Sequence, residues 1–407
     1  MNKAGSKRPG PLSHGSNQGG MRQFNERVVL QTIRLNGSCS KAQIARMTHL
    51  SAQTVQQIMG RLEEDGLVIK EAPVKGKVGQ PSVPMALNPD GAFSIGVNIG
   101  RRSTDLLLVD FSAQMRECLS FSYDVPDPAE IFGKIQQTLR SLTDTLGPDK
   151  AELISGIGVT APLEIQDWGE LLGFPPDYEQ RWKHIDHVAE IEKFCSLPVD
   201  FVKDTAAACV AELVVGQGRS LPSFLYFYVD VFIGGGLVID SQLHHGLHGN
   251  AGAVGSMPLS VGHGDQQRKP PQLLSVASLL NLEMRYRARG LAPDAWSDER
   301  ALQAPWHEET DQWLAQSSAA IAMTINAAAS LLDFDGVIID GSFDRGVLTA
   351  LLDGVGQAMT FHSWKGVDMP LLRAGKVGAN ARAMGGALLP LYANFSPNPE
   401  SFLKLVP

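Results

Sequence analysis

The sequence predicts a mixed α/β chain in which a small winged helix-turn-helix precedes a two-lobed α/β body. Three observations carry this expectation. Two short helical stretches, each opened by a serine and separated by a tight turn, are followed by a glycine-rich hairpin. Beyond Asn88-Pro89-Asp90-Gly91, apolar strand-like runs alternate with helical ones, as α/β architectures require. The charge is divided in the same place: residues 1–80 hold 12 Lys/Arg against 5 Asp/Glu, and the rest of the chain 23 against 38.

Residues 1–20, MNKAGSKRPGPLSHGSNQGG, lack the apolar stretch of a secretory signal and read as a disordered, mildly basic tail. From Phe24 the pattern turns helical, with Val28, Val29, Ile33 and Leu35 on one face and Asn36-Gly37 as the stop. Ser40 can cap a second helix, KAQIARMT, whose Ile44, Ala45 and Met47 face inward. After the turn at His49-Leu50, Ser51 can cap a third, AQTVQQIMGRLEEDG, with Val55, Ile58, Met59 and Leu62 as its core stripe. LVIKEAPVKGKVGQPSVPMAL then reads as two strands around a wing, so the small domain spans 21–85.

The exposed face expected for the third helix carries Gln53, Thr54, Gln56, Gln57 and Arg61, with Ser51 at its start. Glutamine pairs bidentately with adenine in the major groove, and Ser, Thr and Arg reach phosphates or guanine. Lys75 and Lys77 at the wing tip are placed to contact the backbone or minor groove. With the local positive charge, these residues make double-stranded operator DNA the expected partner. The alternative is a protein-interaction domain with a polar helical face.

In the body, SIGVNIG and STDLLLVD (94–110) read as paired strands, and ELISGIGVTAP (152–162) and LPVDFVKD (197–204) as buried ones. TAAACVAELVVG (205–216) is a small-residue helix. SFLYFYVDV and IGGGLVIDSQLHHG form a strand pair across three glycines, Gly234-Gly235-Gly236. A long helix from His307 leads into the strand GVIIDG (336–341). No apolar run reaches the roughly 18 residues of a membrane span. Cys39, Cys118, Cys195 and Cys209 form no CxxC pair and fit reduced thiols, so a cytoplasmic location is expected. His244, His245, His248 and His263 lack metal-ligand spacing and read as loop histidines.

The order of these blocks, from about Phe24 to Leu391, resembles the ROK family (repressors, open reading frames and sugar kinases) with its actin-like ATPase (RNase H-like) fold. The resemblance implies a first lobe from 86–203 and 385–407, a second from 204–384, and a C-terminal helix near Ala387–Ala393 packed on the first lobe. The winged half resembles that of the family's transcriptional repressors, which its kinases lack.

The departures bear on mechanism. Where ROK kinases have a DxGGTK-type loop, this chain has Asn98-Ile99-Gly100-Arg101-Arg102-Ser103. Where they have GTGIGGG, it has Asp230-Val231-Phe232-Ile233-Gly234-Gly235-Gly236, and the glycines are expected to keep only their turn chemistry. Phosphoryl transfer rests on positioning and charge neutralisation, which these substitutions remove. The family's sugar-gripping Asn-Asp pair is Lys203-Asp204 here, and its GxEIGH stretch is Gly252-Ala253-Val254-Gly255-Ser256. No cysteine follows Cys209, so the family's zinc loop is lost. Neither cofactor nor metal is therefore expected, and no catalysis.

The expected function is a repressor gated by a small-molecule effector, a sugar or a sugar acid or phosphate, held at Lys203 and Asp204. A homodimer or tetramer would present paired reading helices. Two other readings stay open: a constitutive DNA-binding oligomer without effector, and a sugar kinase with a DNA-binding appendage. Asp204 alone also reads as the N-cap of the helix that follows it.

Overall fold

The computed structural model describes residues 18–73, 83–163, 165, 169–260 and 270–397. Its first helix, α1 (Gln18–Asn36), begins ahead of Phe24, where the helical pattern starts in the sequence. Val29, Leu30 and Ile33 are fully enclosed, and so are the polar Arg27, Gln31 and Thr32. α1 thus buries more than one face: it packs against α2 (Lys41–Thr48) and α3 (Ala52–Glu64), and its Arg34 meets aromatic rings of the body. Ser40 caps α2 through a reciprocal capping box with Gln43, as its spacing predicts. Ile44 anchors α2, but Met47 is 42 % exposed, contrary to its expected inward position. A two-turn helix meets its neighbours through that one anchor, and Met47 lies past the contact.

Ser51 caps α3, accepting a hydrogen bond from the Thr54 backbone N–H at 3.1 Å. Val55, Ile58, Met59 and Leu62 are buried as its stripe requires. β1 (Val68–Lys70) and β2 (Met85–Leu87) pair antiparallel, Val68 opposite Leu87, and form the base of the wing. Lys75, Lys77 and the rest of 74–82 lie outside the described residues, as do His263 and residues 1–17.

The chain divides into two compact units, one running to Val202 and resuming at Ala383, the other Lys203–Arg382. The body of the first unit is built on a five-stranded sheet in the order β5-β4-β3-β6-β7. Its strands are β3 (Phe93–Ile99), β4 (Ser103–Asp110), β5 (Met115–Ser122), β6 (Ile154–Ala161) and β7 (Val199–Lys203). α4 (Pro128–Leu146) covers one face, and the short helices α5 (Pro148–Ala151), α6 (Gly169–Leu172), α7 (Tyr178–Trp182) and α8 (His187–Glu192) fill the connections. β3–β4 and β4–β5 are antiparallel, and β3–β6 is parallel.

The second unit repeats that plan. It opens with α9 (Asp204–Val215), and its sheet runs β10-β9-β8-β11-β12. The strands are β8 (Phe224–Val229), β9 (Gly234–Ile239), β10 (Gln242–His244), β11 (Gly336–Gly341) and β12 (Leu371–Ala374). Again three consecutive strands are antiparallel, and β8–β11 and β11–β12 are parallel. α10 (Leu274–Ala277), α11 (Leu279–Ala288), the long α12 (His307–Leu332) and α13 (Arg345–Met359) enclose its core around Trp313, Phe227 and Ile339.

The last helix, α14 (Ala381–Phe395), lies against β3 and β6 so closely that glycine is obligatory on the sheet. A Cβ on Gly96 would collide with the Ala383 carbonyl, and one on Gly158 with the Gly386 carbonyl. Covered on both faces, β3 is buried along its whole length.

Candidate functional site

The reading face comes first. Gln53, Gln56 and Gln57 are exposed on α3, as are Ser51 and Ala52 at its start. Thr54 is half-buried, its hydroxyl 2.8 Å from that of Ser51, so these two residues are engaged in the cap itself. The Gln56 side-chain oxygen accepts a hydrogen bond from Lys41 Nζ at 2.8 Å. Arg61 donates to Glu26 of α1 at 2.7 Å, which ties the reading helix to its supporting helix. Gln53 and Gln57 thus remain exposed on α3, with Gln56 held beside a cation. Lys41 was not singled out from the sequence. A lysine just after a capping serine, at the start of the helix preceding the reading helix, is the signal for it.

The two loops that hold phosphate in ROK kinases are each closed by the chain's own groups. In the first unit, Asn98 is 1 % exposed. Its Oδ1 accepts from the Thr160 hydroxyl at 3.1 Å, and its Nδ2 donates to Asp105 at 3.1 Å. The amide is consumed by the sheet. The Gly100 N–H donates to the Ser103 carbonyl at 2.9 Å, and the Tyr123 hydroxyl lies 2.6 and 2.8 Å from the carbonyls of Gly100 and Ser103.

In the second unit, Asp230 sits in the turn between β8 and β9 and is 2.5 Å from Arg382 Nη1. The Ser342 hydroxyl donates to the same carboxylate at 2.5 Å, and the Arg382 guanidinium lies 5.2 Å above the Tyr228 ring. Burial acts to raise the Asp230 pKa, but the Arg382 charge and the hydrogen bonds outweigh it and hold the group below the usual carboxylate range. The turn's backbone is occupied as well: Leu279 N–H donates to the Asp230 carbonyl, and Ile233 N–H to the Ser278 hydroxyl at 3.0 Å.

Turn chemistry at Gly234, Gly235 and Gly236 is corrected here. All three lie within β9, and none has a positive φ. They supply room for close approach. A Cβ on Gly234 would stand 2.7 Å from Thr205 Cγ2, and one on Gly236 2.6 Å from Cys209 Cβ, so α9 could not lie where it does.

Lys203 and Asp204 stand where β7 gives way to α9. The N-cap reading of Asp204 is also corrected: Lys203 holds the cap position, and Asp204 is the first helical residue. Asp204 is 7 % exposed and accepts from the Thr205 N–H at 2.7 Å. Lys203 Nζ lies 3.3 Å from Asn250 Oδ1. Burial pushes the Lys203 pKa down, and the Asp204 charge partly opposes this. Beside them the Thr205 hydroxyl is buried without a hydrogen-bond partner. The group presents a cation and an amide beside a largely buried carboxylate, with the Thr205 hydroxyl enclosed behind them. His244, His245 and His248 are exposed on and after β10.

A winged head on a duplicated α/β body of this topology defines a class, and the chain belongs to the ROK family, which residues 94–391 match. Residues 25–69 match the winged helix-turn-helix DNA-binding domains. Among individual proteins, the chain is 22 % identical to an uncharacterised protein of Sinorhizobium fredii, over 91 % of this chain and 92 % of that one. It is 24 % identical to the xylose repressor of Caldicellulosiruptor bescii, over 58 % of each chain. Among solved structures it is similar to a ROK family transcriptional regulator described as a homologue of the E. coli MLC protein. That likeness has a TM-score of 0.66 at 19 % identity and covers 93 % of this chain and 97 % of that one.

Proposed function

We propose that the protein is a sugar-responsive transcriptional repressor that binds operator DNA through α3 and carries no kinase activity. The observation that carries this reading is the contrast between an open reading face and closed phosphate loops. Gln53 and Gln57 are exposed on a capped, well-packed helix, while Asn98 and Asp230 are consumed by internal hydrogen bonds and an ion pair. Nucleotide phosphates need free backbone amides and a metal-binding carboxylate; here position 98 is an amide, and the Gly100 and Ile233 N–H groups already donate to Ser103 and Ser278. The match to winged helix-turn-helix DNA-binding domains and the likeness to a xylose repressor support the same reading.

Ser51 and Thr54 organise the start of the reading helix, and Arg61 steadies it through Glu26. Lys75 and Lys77 are assigned to the DNA backbone, along with Lys41. The effector is a sugar or a sugar derivative, and Lys203 with Asp204 receives it. A homodimer or tetramer in the cytoplasm reads an inverted repeat, since two-fold symmetry in the protein requires it in the site.

The test is selection of duplexes from a random library on the full chain, followed by fluorescence anisotropy with and without xylose, other pentoses, hexoses and their acids. Enrichment of an inverted repeat that one of these sugars releases is the expected result. Failure to enrich any duplex would sink the reading.

A further inference from the structure

The guanidinium of Arg34, near the end of α1, lies between two rings of the body. Its centre is 5.2 Å from the Phe111 ring, just after β4, and 5.2 Å from the Tyr392 ring on α14. Phe111 in turn meets Phe395 of α14 edge-on at 4.8 Å. Arg34 Nη1 donates to Gln31 at 3.3 Å, and its Nη2 is buried with no hydrogen-bond partner. Both terminal nitrogens of Arg27, on the same helix and 3 % exposed, are likewise buried without partners. Cation–π contact at Arg34 thus joins head to body beside the Asn88 hydrogen bonds to the Gly66 and Leu67 carbonyls, while buried arginine hydrogen-bonding capacity goes unused.

Each end of α14 bears on a different feature. Near its start, Arg382 pairs with Asp230 of the closed loop. Ten residues on, a rise of about 15 Å in an α-helix, Tyr392 clasps Arg34. Between them the helix is seated against Gly96 and Gly158 and meets Ser94, whose hydroxyl donates to the Ala387 carbonyl. From Arg34, α1 continues back to Glu26, which holds Arg61 of the reading helix at 2.7 Å.

We propose that Arg34, Phe111 and Tyr392 are positioning residues for DNA reading, and that α14 transmits the state of the Asp230–Arg382 pair to α3 through them. The proposal rests on the DNA-binding reading. An event that loosens Arg382 from Asp230 shifts a helix that is packed too closely to absorb the change locally. The shift is passed to the head at the Arg34 clasp.

The experiment uses the full chain and a duplex selected on the wild type, with affinity read by fluorescence anisotropy at fixed salt. Asp230→Asn is expected to change affinity about five- to tenfold in the otherwise wild-type chain, a modest allosteric coupling. In an Arg34→Met or Tyr392→Leu background the same substitution should change it less than about twofold, on the same coupling scale. Arg34→Lys, which keeps a cation between the rings, should restore part of the response, as loss of packing alone would not. If Asp230→Asn does not fold, Ser342→Ala weakens the same carboxylate and replaces it. No change on Asp230→Asn, or an equal change in all backgrounds, overturns the proposal while wild-type binding leaves the DNA-reading assignment standing. Failure of the wild type to retain any duplex overturns both.

Discussion

Arg382 and Asp230 form an ion pair 2.5 Å long at the turn between β8 and β9, with side chains only 12 % and 13 % exposed. The pair substitutes an internal anion for an external one. An arginine that would attract phosphate is neutralised by a carboxylate that repels it. The Ser342 hydroxyl and the Tyr228 ring complete the arrangement around the pair.

Removing one partner should be costly. Asp230→Ala leaves Arg382 enclosed without its counter-charge and is expected to lower unfolding free energy by about 3 kcal/mol. The pH dependence follows from the depressed Asp230 pKa. Its stabilisation is complete above the unfolded value of about 3.9 and is lost as pH falls through the lower folded value. Urea midpoints of wild type and Asp230→Asn should therefore begin to converge only as pH falls below about 4. A gap that widened on acidification would show that the carboxylate is not stabilised in this way.

ATP-dependent phosphorylation should be absent. With Asn98 bound to Thr160 and Asp105, no carboxylate is offered to a metal at that position. Incubation with ATP, magnesium and xylose or glucose should yield no sugar phosphate by phosphorus NMR. Turnover that disappears in Asp204→Ala would mean the chain is a kinase after all.

Base and backbone contacts should separate experimentally. Gln53→Ala with Gln57→Ala is expected to cost about 1–3 kcal/mol of discrimination per lost bidentate contact between the selected duplex and a scrambled one. Lys41→Ala should weaken both duplexes alike and reduce the salt slope by about 1. A Lys41→Ala effect confined to the selected sequence would place Lys41 on a base instead.

The proposed effector site at Lys203 and Asp204 makes a chemical prediction. Burial disfavours the Lys203 charge, and an incoming carboxylate or phosphate would favour it by supplying a counter-charge. Sugar acids or sugar phosphates should release operator DNA at lower concentration than the parent sugars, and Lys203→Ala should erase that difference. Release by neutral sugars alone, unaffected by the substitution, would remove the anion preference and leave the repressor reading intact.

Much of the head was legible because its determinants are local. Ser40 and Ser51 cap helices within three residues of themselves, and Val55, Ile58, Met59 and Leu62 announce a buried stripe by spacing alone. The departures from the kinase loops were equally plain at Asn98, Val231 and the absent cysteines. What replaced it was not. Gly234–Gly236 read as a turn because glycine permits one, yet they serve the approach of α9.

By itself, then, the sequence determined the winged head, the strand–helix alternation of the body and the residue types no longer available for phosphate or zinc. Only the tertiary structure decided that Arg61 belongs to Glu26, that Arg382 neutralises Asp230, and that the Arg34 guanidinium lies over the rings of Phe111 and Tyr392. The reason is range. Caps and periodicities act over a turn or two of chain, whereas the partner of a charge is chosen by which distant segments the packed core brings within a few ångströms of it.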